Sequence, residues 1–376
     1  MAGSPPPPPP SLDAPSLDMD VALRQGAFDL EAAVTAGPGL TVLFGQSGSG
    51  KSTLIDLVAG LRRPDRGRIA VGGVPLVDTA SGLWLPPHRR RVGYVFQEAR
   101  LLPHLTVRQN LLYGRWFARR HLTVEAPTLD SVADLLGIAP LLARRPAGLS
   151  GGEKARVALG RALLAAPRIL LMDEPLAALD ESRKAEILPY LERLRDQVGL
   201  PILYVTHAVA EVARLATTVV MLDQGRVRAV GAPSSLWSRP DLMDLTGGAE
   251  AGSLLDAVVG ERTGDGLIPL DTPAGRILVP HLPTELAPGS RTRLRIPARD
   301  VLLSDRAPQG LSALNILPGV VSDVRLEEDG SRVVRLDCVG ATVLARVTGT
   351  SAAALAIAPG RPLWAIVKAV ALDPAT

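Results

Sequence analysis

Cysteine is almost missing: Cys338 is the one thiol in 376 residues. That excludes an internal disulfide framework and suits a protein kept in a reducing compartment such as the cytoplasm. Long apolar runs are missing as well. No stretch of 18 or more apolar residues occurs, so no segment is expected to cross a bilayer as a helix, and any membrane role would come through a partner. The opening MAGSPPPPPPSLDAPSLD has neither a positive n-region nor an apolar h-region, which argues against a secretory signal. Its six consecutive prolines favour an extended polyproline segment, and residues 1–17 are expected to form a disordered tail. Concentrated charge is scarce too. The formal charge is +3, and apart from HRRR at 88–91 the basic residues are spread along the chain. A nucleic-acid-binding stripe is therefore not expected.

What is present is apolar residue enough for two domains, 47% of a chain longer than one ordinary domain. From about 18 to 245, β-like apolar runs alternate with amphipathic helical segments, the pattern of a mostly parallel α/β sheet. GLTVLF (39–44), RVGYVF (91–96), RILLMD (168–173), PILYVTH (201–207) and TVVMLDQGRV (218–227) read as strands, and KSTLIDLVAGL as a helix ending near Gly60. Over about 98–149, TVRQNLLYGRWFARR and LDSVADLLGIAPLLARR predict a helical subdomain. From about 254 to 376, short runs separated by Gly, Pro and Asp turns predict a small all-β, OB-like barrel domain. The boundary is expected in TGGAEAGS, 246–253.

The segment GQSGSGKST, residues 45–53, fits G-x-x-x-x-G-K-S/T between a strand and a helix. Gly45, Gly48 and Gly50 let the backbone curl, so that its N–H groups, including those of Gln46, Ser47 and Ser49, face phosphate oxygens. Lys51 is placed to reach the β- and γ-phosphates of ATP, Ser52 to hold Mg²⁺, and Thr53 to complete the phosphate-binding residues at the start of the helix. RILLMDEP adds a carboxylate, Asp173, at the end of a buried strand, where a cation compensates its burial. Glu174 follows, positioned to polarise an attacking water.

LSGGEKARVALGRALL begins at Leu149 with a capping box, Ser150 and Glu153. Capping leaves Gly151–Gly152 unexplained, because glycine in a helical turn costs about 1 kcal/mol relative to alanine. Bare backbone there would admit a phosphate to a second helix N-terminus.

On these motifs the chain resembles the ATP-binding-cassette (ABC) ATPases over residues 19 to about 240. The resemblance implies a P-loop core with a RecA-like sheet and a helical subdomain. It implies a homodimer in which Ser150, Gly151, Gly152 and Glu153 of one chain meet the γ-phosphate held by the other. It matches Gln97 to the loop glutamine that touches Mg²⁺, Asp180 to a dimer-contact aspartate, and His207 to a γ-phosphate sensor acting with Glu174. The family's adenine-stacking aromatic has Phe28 as its one candidate upstream of the P-loop. Glu153 stands where glutamine is commoner. A separate integral membrane permease dimer is implied, with a periplasmic binding protein behind it, and a place on the cytoplasmic face of the inner membrane.

The C-terminal LSALNILPG and RPLWAIVKAVAL resemble the molybdate-binding Mop module, over about 309–374, and GYVFQEARLLPHLTV resembles the ATPases of molybdate importers. That resemblance implies molybdate held at Ser312, Asn315 and Lys368; the alternative is a barrel that only dimerises. Sulfate, thiosulfate, tungstate or iron as cargo stays open, as does a soluble ATPase switched by oxyanion. A DNA-repair or translation cassette would usually carry a coiled-coil insertion or a second cassette, and neither is found.

Overall fold

The computed structural model describes residues 16–118, 127–237, 239–246, 251–282, 286–369 and 373–375. The Pro-rich tail through position 15, part of the helical segment and positions 247–250 of the expected boundary lie outside these residues. Two compact units divide the chain: residues up to His207 with Leu215–Gly231, and Ala208–Arg214 with Ala232 onward.

The first unit is built on β1 (Leu17–Gln25), β2 (Phe28–Ala36), β3 (Leu40–Phe44), β4 (Arg66–Val71), β5 (Val74–Asp78), β6 (Leu83–Trp84), β7 (Val92–Val95), β8 (Ile169–Asp173), β9 (Ile202–Thr206), β10 (Thr218–Asp223) and β11 (Arg226–Gly231). They form one sheet in the order β6-β5-β4-β1-β2-β11-β10-β3-β9-β8-β7. Five strands, β10-β3-β9-β8-β7, pair in parallel, as the uninterrupted apolar runs predict. The other half is a correction to the mostly parallel sheet expected. β1, β2, β4, β5 and β6 pair antiparallel. The reason is visible in β2, whose residues alternate buried and exposed, the pattern of a strand with one solvated face. Leu17, placed in the expected tail, is already a buried residue of β1.

The helices of this unit are α1 (Lys51–Ala59), α2 (Val107–Ala118), α3 (Leu129–Leu135), α4 (Gly151–Leu164) and α5 (Glu181–Gln197). α2, α3 and α4 lie between β7 and β8 in the chain; α2 and α3 fall within 98–149 and α4 follows it. Leu54, Ile55, Leu57 and Val58 of α1 pack into a core with Leu43, Leu171, Leu203 and Val220 of the sheet. Burying such side chains contributes about 1.5–3 kcal/mol each.

The second unit carries most of α6 (Val209–Leu215), then α7 (Pro233–Trp237), α8 (Met243–Thr246), β12 (Gly252–Val259), β13 (Ile268–Thr272), β14 (Gly275–Val279), β15 (Arg291–Pro297), β16 (Val301–Ser304), β17 (Asn315–Leu326), β18 (Arg332–Cys338), β19 (Ala341–Val347), α9 (Gly349–Ala354), β20 (Pro362–Val367) and β21 (Asp373–Ala375). Its strands form two five-stranded sheets, β14-β13-β12-β15-β21 and β16-β20-β17-β18-β19, paired antiparallel throughout. One core serves both, with Leu270, Ile277 and Leu294 packed with Leu317, Leu336 and Ala365. Cys338 is buried in it, and burial pushes its thiol up to about 11, so it stays protonated and unreactive. No helix among the described residues is long and apolar enough to cross a membrane.

Candidate functional site

The parallel strands bring the sequence motifs to one edge. β3 ends at Phe44, paired with Thr206 of β9, and the P-loop follows it directly. Asp173 closes β8 opposite Val205 of β9, and Val95 of β7 pairs with Met172 of β8. Gly45, Glu174, His207 and Gln97 therefore all follow the carboxyl ends of neighbouring strands, where open α/β sheets bind ligands.

Gly50 caps α1 in a left-handed conformation, φ 104°, which glycine adopts without strain. A Cβ there would lie 2.9 Å from Leu30 Cδ1 and 3.1 Å from Phe28 Cζ. Phe28 is thus packed beside the last P-loop glycine and against the core. Lys51 is buried, and its Nζ donates to Gly45 O and Gln46 O, both at 2.8 Å. Burial pulls its pKa below the ordinary lysine value, and the carboxylates of Glu174 and Asp173 oppose that shift. The Ser52 hydroxyl donates to Asp173 Oδ1 at 3.1 Å, joining helix α1 to the end of β8.

Burial raises the Asp173 carboxyl above the usual carboxylate range, the Ser52 hydrogen bond opposes this, and Glu174 and Asp56 add to it. The sign of the consequence follows from linkage. Ionised Asp173 disfavours the folded chain; the cost is absent below the unfolded-state pKa and complete above the raised folded one. Asp173→Asn is therefore expected to raise the melting temperature at neutral pH and to lose that gain as pH falls through the carboxylate range. Melting scans across pH check this; an equal shift at every pH would refute the cause.

Glu174 has φ +45°, unusual for a residue with a Cβ and a form of strain that clusters at functional sites. Its N–H donates to Val205 O at 3.1 Å, and its Oε1 lies 3.4 Å from His207 Nδ1. Two carboxylates, an imidazole, a hydroxyl and a lysine thus converge at the mouth of the P-loop. The Ser52 hydroxyl and the Asp173 carboxylate are hard oxygen donors of the kind Mg²⁺ prefers. Among the described residues there is no group of three or more His, Cys, Asp or Glu side chains placed to hold a metal ion by themselves. A Mg²⁺ held by one carboxylate, a hydroxyl, waters and phosphates needs none.

Ser150 and Glu153 sit elsewhere. Ser150 Oγ accepts from Glu153 N at 3.2 Å, and Glu153 Oε2 accepts from Ser150 N at 2.7 Å. The second bond holds the Glu153 carboxyl below its ordinary range. Among the described residues, no hydrogen bond or ion pair joins this turn to Lys51, Ser52 or Asp173 of the same chain. Gly151 also has a packing reason: a Cβ would lie 2.9 Å from Leu179 Cδ2. Asp180 caps α5, with Oδ1 accepting from Arg183 N at 2.9 Å and from the Ser182 hydroxyl at 2.7 Å. The Ser182 bond is the main cause of its lowered pKa.

In the second unit the three expected oxyanion residues differ in setting. Ser312 and Lys368 are exposed. Asn315 is buried, and its amide clasps the Leu278 backbone, accepting from N at 2.7 Å and donating to O at 3.0 Å. It thereby ties β14 to β17, one strand from each sheet. No hydrogen bond or ion pair among the described residues links the three.

Sequence reasoning missed Tyr94 and Asp56. The Tyr94 hydroxyl donates to Asp56 Oδ1 at 3.4 Å, and burial and the Asp173 charge raise its pKa. Neither residue belongs to a motif, and only the packing of α1 beside β7 pairs them.

The family model described as ABC transporter matches residues 30–177, and that of the TOBE domain matches 311–374. Proteins named molybdenum import ATP-binding protein ModC match along nearly the whole chain. That of Rhizobium johnstonii is 52% identical over 95% of this chain and 99% of its own length. The Mesorhizobium japonicum protein is 53% identical over 95% and 96%. That of Azotobacter vinelandii, named ModC 1, is 49% identical over 92% and 95%. With a P-loop, a strand-end carboxylate pair and a histidine beside Glu174 at one sheet edge, the chain belongs to the ABC transporter ATP-binding proteins, in the group that includes the molybdenum import ATP-binding proteins.

Proposed function

We propose that this chain is the ATP-hydrolysing subunit of a molybdate importer, working with a separate integral membrane permease at the cytoplasmic face of the inner membrane. The convergence of Lys51, Ser52, Asp173, Glu174 and His207 carries the hydrolytic half of this reading. The names of the nearly full-length relatives support the cargo.

In this reading the loop N–H groups and Lys51 bind the phosphates of ATP, so Lys51 exchanges the Gly45 and Gln46 carbonyls for phosphate oxygens. Ser52, Asp173 and Gln97 would hold Mg²⁺, which supplies neutralisation of the phosphate charge. Glu174 orients and deprotonates the attacking water, and His207 steadies Glu174 and faces the γ-phosphate. The Ser150–Gly152 turn lies apart from its own P-loop, which fits a site completed by the same turn of a second chain. ATP would then close a homodimer, and Asp180 would lie at its contact. A periplasmic binding protein would deliver molybdate to the permease. For the C-terminal domain, a structural contribution is favoured by the commitment of Asn315 to Leu278, with molybdate binding through Ser312 and Lys368 as the second reading.

The test is the cellular molybdenum content of a strain carrying Lys51→Ala, grown on trace molybdate. Molybdenum is expected to fall about tenfold or more, as loss of phosphate contacts stops the chemistry. Excess molybdate should restore it, with sulfur and tungsten content unchanged at trace supply. Unchanged molybdenum would remove the cargo assignment.

A further inference from the structure

The loop carrying Gln97 meets α4 in two ways. Val95–Ala99 and the α4 residues Gly151, Lys154, Ala155 and Ala158 are among the residues that line an open cleft of about 480 Å³. One turn beyond Ala158, loop and helix are tied together. Arg161 Nη1 donates to Arg100 O at 2.8 Å, and its Nη2 to Ala99 O at 3.1 Å. Among the described residues these are the hydrogen bonds between this loop and α4.

The loop is shaped for that tie. Arg100 has φ +43°, a strained turn for a residue with a Cβ. Its guanidinium lies 4.2 Å over the Phe96 ring, which stacks at 4.1 Å on Tyr94. Gln97 is therefore bracketed by a stacked ring on one side and a clamped backbone on the other. Burial lowers the Arg161 pKa, and a planar guanidinium with a fixed fork of donors suits two adjacent carbonyls better than an ammonium does.

We propose that Arg161 is a positioning residue for ATP hydrolysis: by holding the Ala99 and Arg100 carbonyls it sets the place of Gln97 and makes the Gln97 loop move with the helix that begins at Ser150. This rests on the role given to Gln97 above. Because Gln97 is otherwise bordered by an open cleft, the loop without Arg161 can shift toward α4 or away from it.

The experiment compares Gln97→Ala, Arg161→Met and the double variant of the full chain by steady-state ATPase, with hydrogen exchange of the 96–101 backbone as an independent readout. Arg161→Met is expected to lower kcat roughly ten- to a hundredfold, the scale of a misplaced catalytic group, with KM for ATP within about twofold. It should speed exchange over 96–101 and add nothing to the loss already caused by Gln97→Ala, since residues acting as one unit are non-additive. Unchanged exchange would overturn the clamp, whatever the kinetics. Faster exchange with multiplicative losses would overturn action through Gln97. Wild-type turnover in Gln97→Ala would instead overturn the role of Gln97, and exchange would still decide the clamp. Should the methionine variant not fold, Arg161→Lys carries the same comparison, with an intermediate loss expected from a side chain that serves one carbonyl.

Discussion

Glu174→Gln is expected to lower steady-state ATP turnover by about 10²–10⁴-fold while leaving ATP affinity within a few-fold. Glutamine keeps the shape of Glu174 and can still engage His207 across the 3.4 Å contact, so the imidazole need not move. What it loses is the ability to take a proton from water. The backbone at Glu174, with φ +45° and its N–H held by Val205 O, is determined by β9 and does not depend on the carboxylate, so the variant should fold. The P-loop contacts of Lys51 are untouched. Bound, unhydrolysed ATP should then accumulate and trap the proposed closed dimer. Equilibrium ATP binding, turnover and light-scattering mass together check this. Near-normal turnover would take Glu174 out of the chemistry, and lost ATP binding would mean that the carboxylate supports the phosphate site itself.

Arg90→Ala is expected to destabilise the first unit by about 4 kcal/mol, the sum of buried carbonyls losing a charged donor and a cavity left behind. Arg90 is 1% exposed although it stands in the basic run HRRR. Its Nη1 donates to Leu57 O at 2.6 Å and Val58 O at 3.0 Å, and its Nε to Leu85 O at 2.7 Å. Two of these are carbonyls in the last turn of α1, the end of the helix where a cation is favoured. Burial lowers the guanidinium pKa to about 10, which leaves it charged. Because α1 begins at the P-loop, Arg90 secures from behind the helix that Lys51 opens. The melting temperature of the first unit should drop by roughly 10 °C, at a few degrees per kcal/mol for a unit of this size. Arg89→Ala, at an exposed neighbour, should stay within about 0.5 kcal/mol of the parent. Equal shifts for the two would refute the capping role.

The HRRR run shows where reading the sequence stops. A run of basic residues is ordinarily a solvated face, and only the packing of α1 turns Arg90 inward while leaving Arg89 outside. The parallel half of the sheet was legible because β3, β8 and β9 are short continuous apolar runs. β4, β5 and β6 were not read as strands, because 62–86 mixes arginine, proline and glycine with short apolar stretches. Asn315 shows what only packing adds. Its residue type suits an anion, yet the structure spends its amide on joining two sheets.

The chain by itself determined the phosphate loop, the strand-end Asp173–Glu174 pair and the Ser150–Glu153 cap, because each is a contiguous segment whose geometry follows from local backbone preferences. Only the tertiary structure decided that Ser52 meets Asp173 across 121 positions, that Arg161 holds a loop 61 positions away, and that Arg90 caps α1. Such contacts depend on which strands become neighbours and which side chains lose water together. That outcome is set by burial summed over the whole core, so no local stretch of sequence records it.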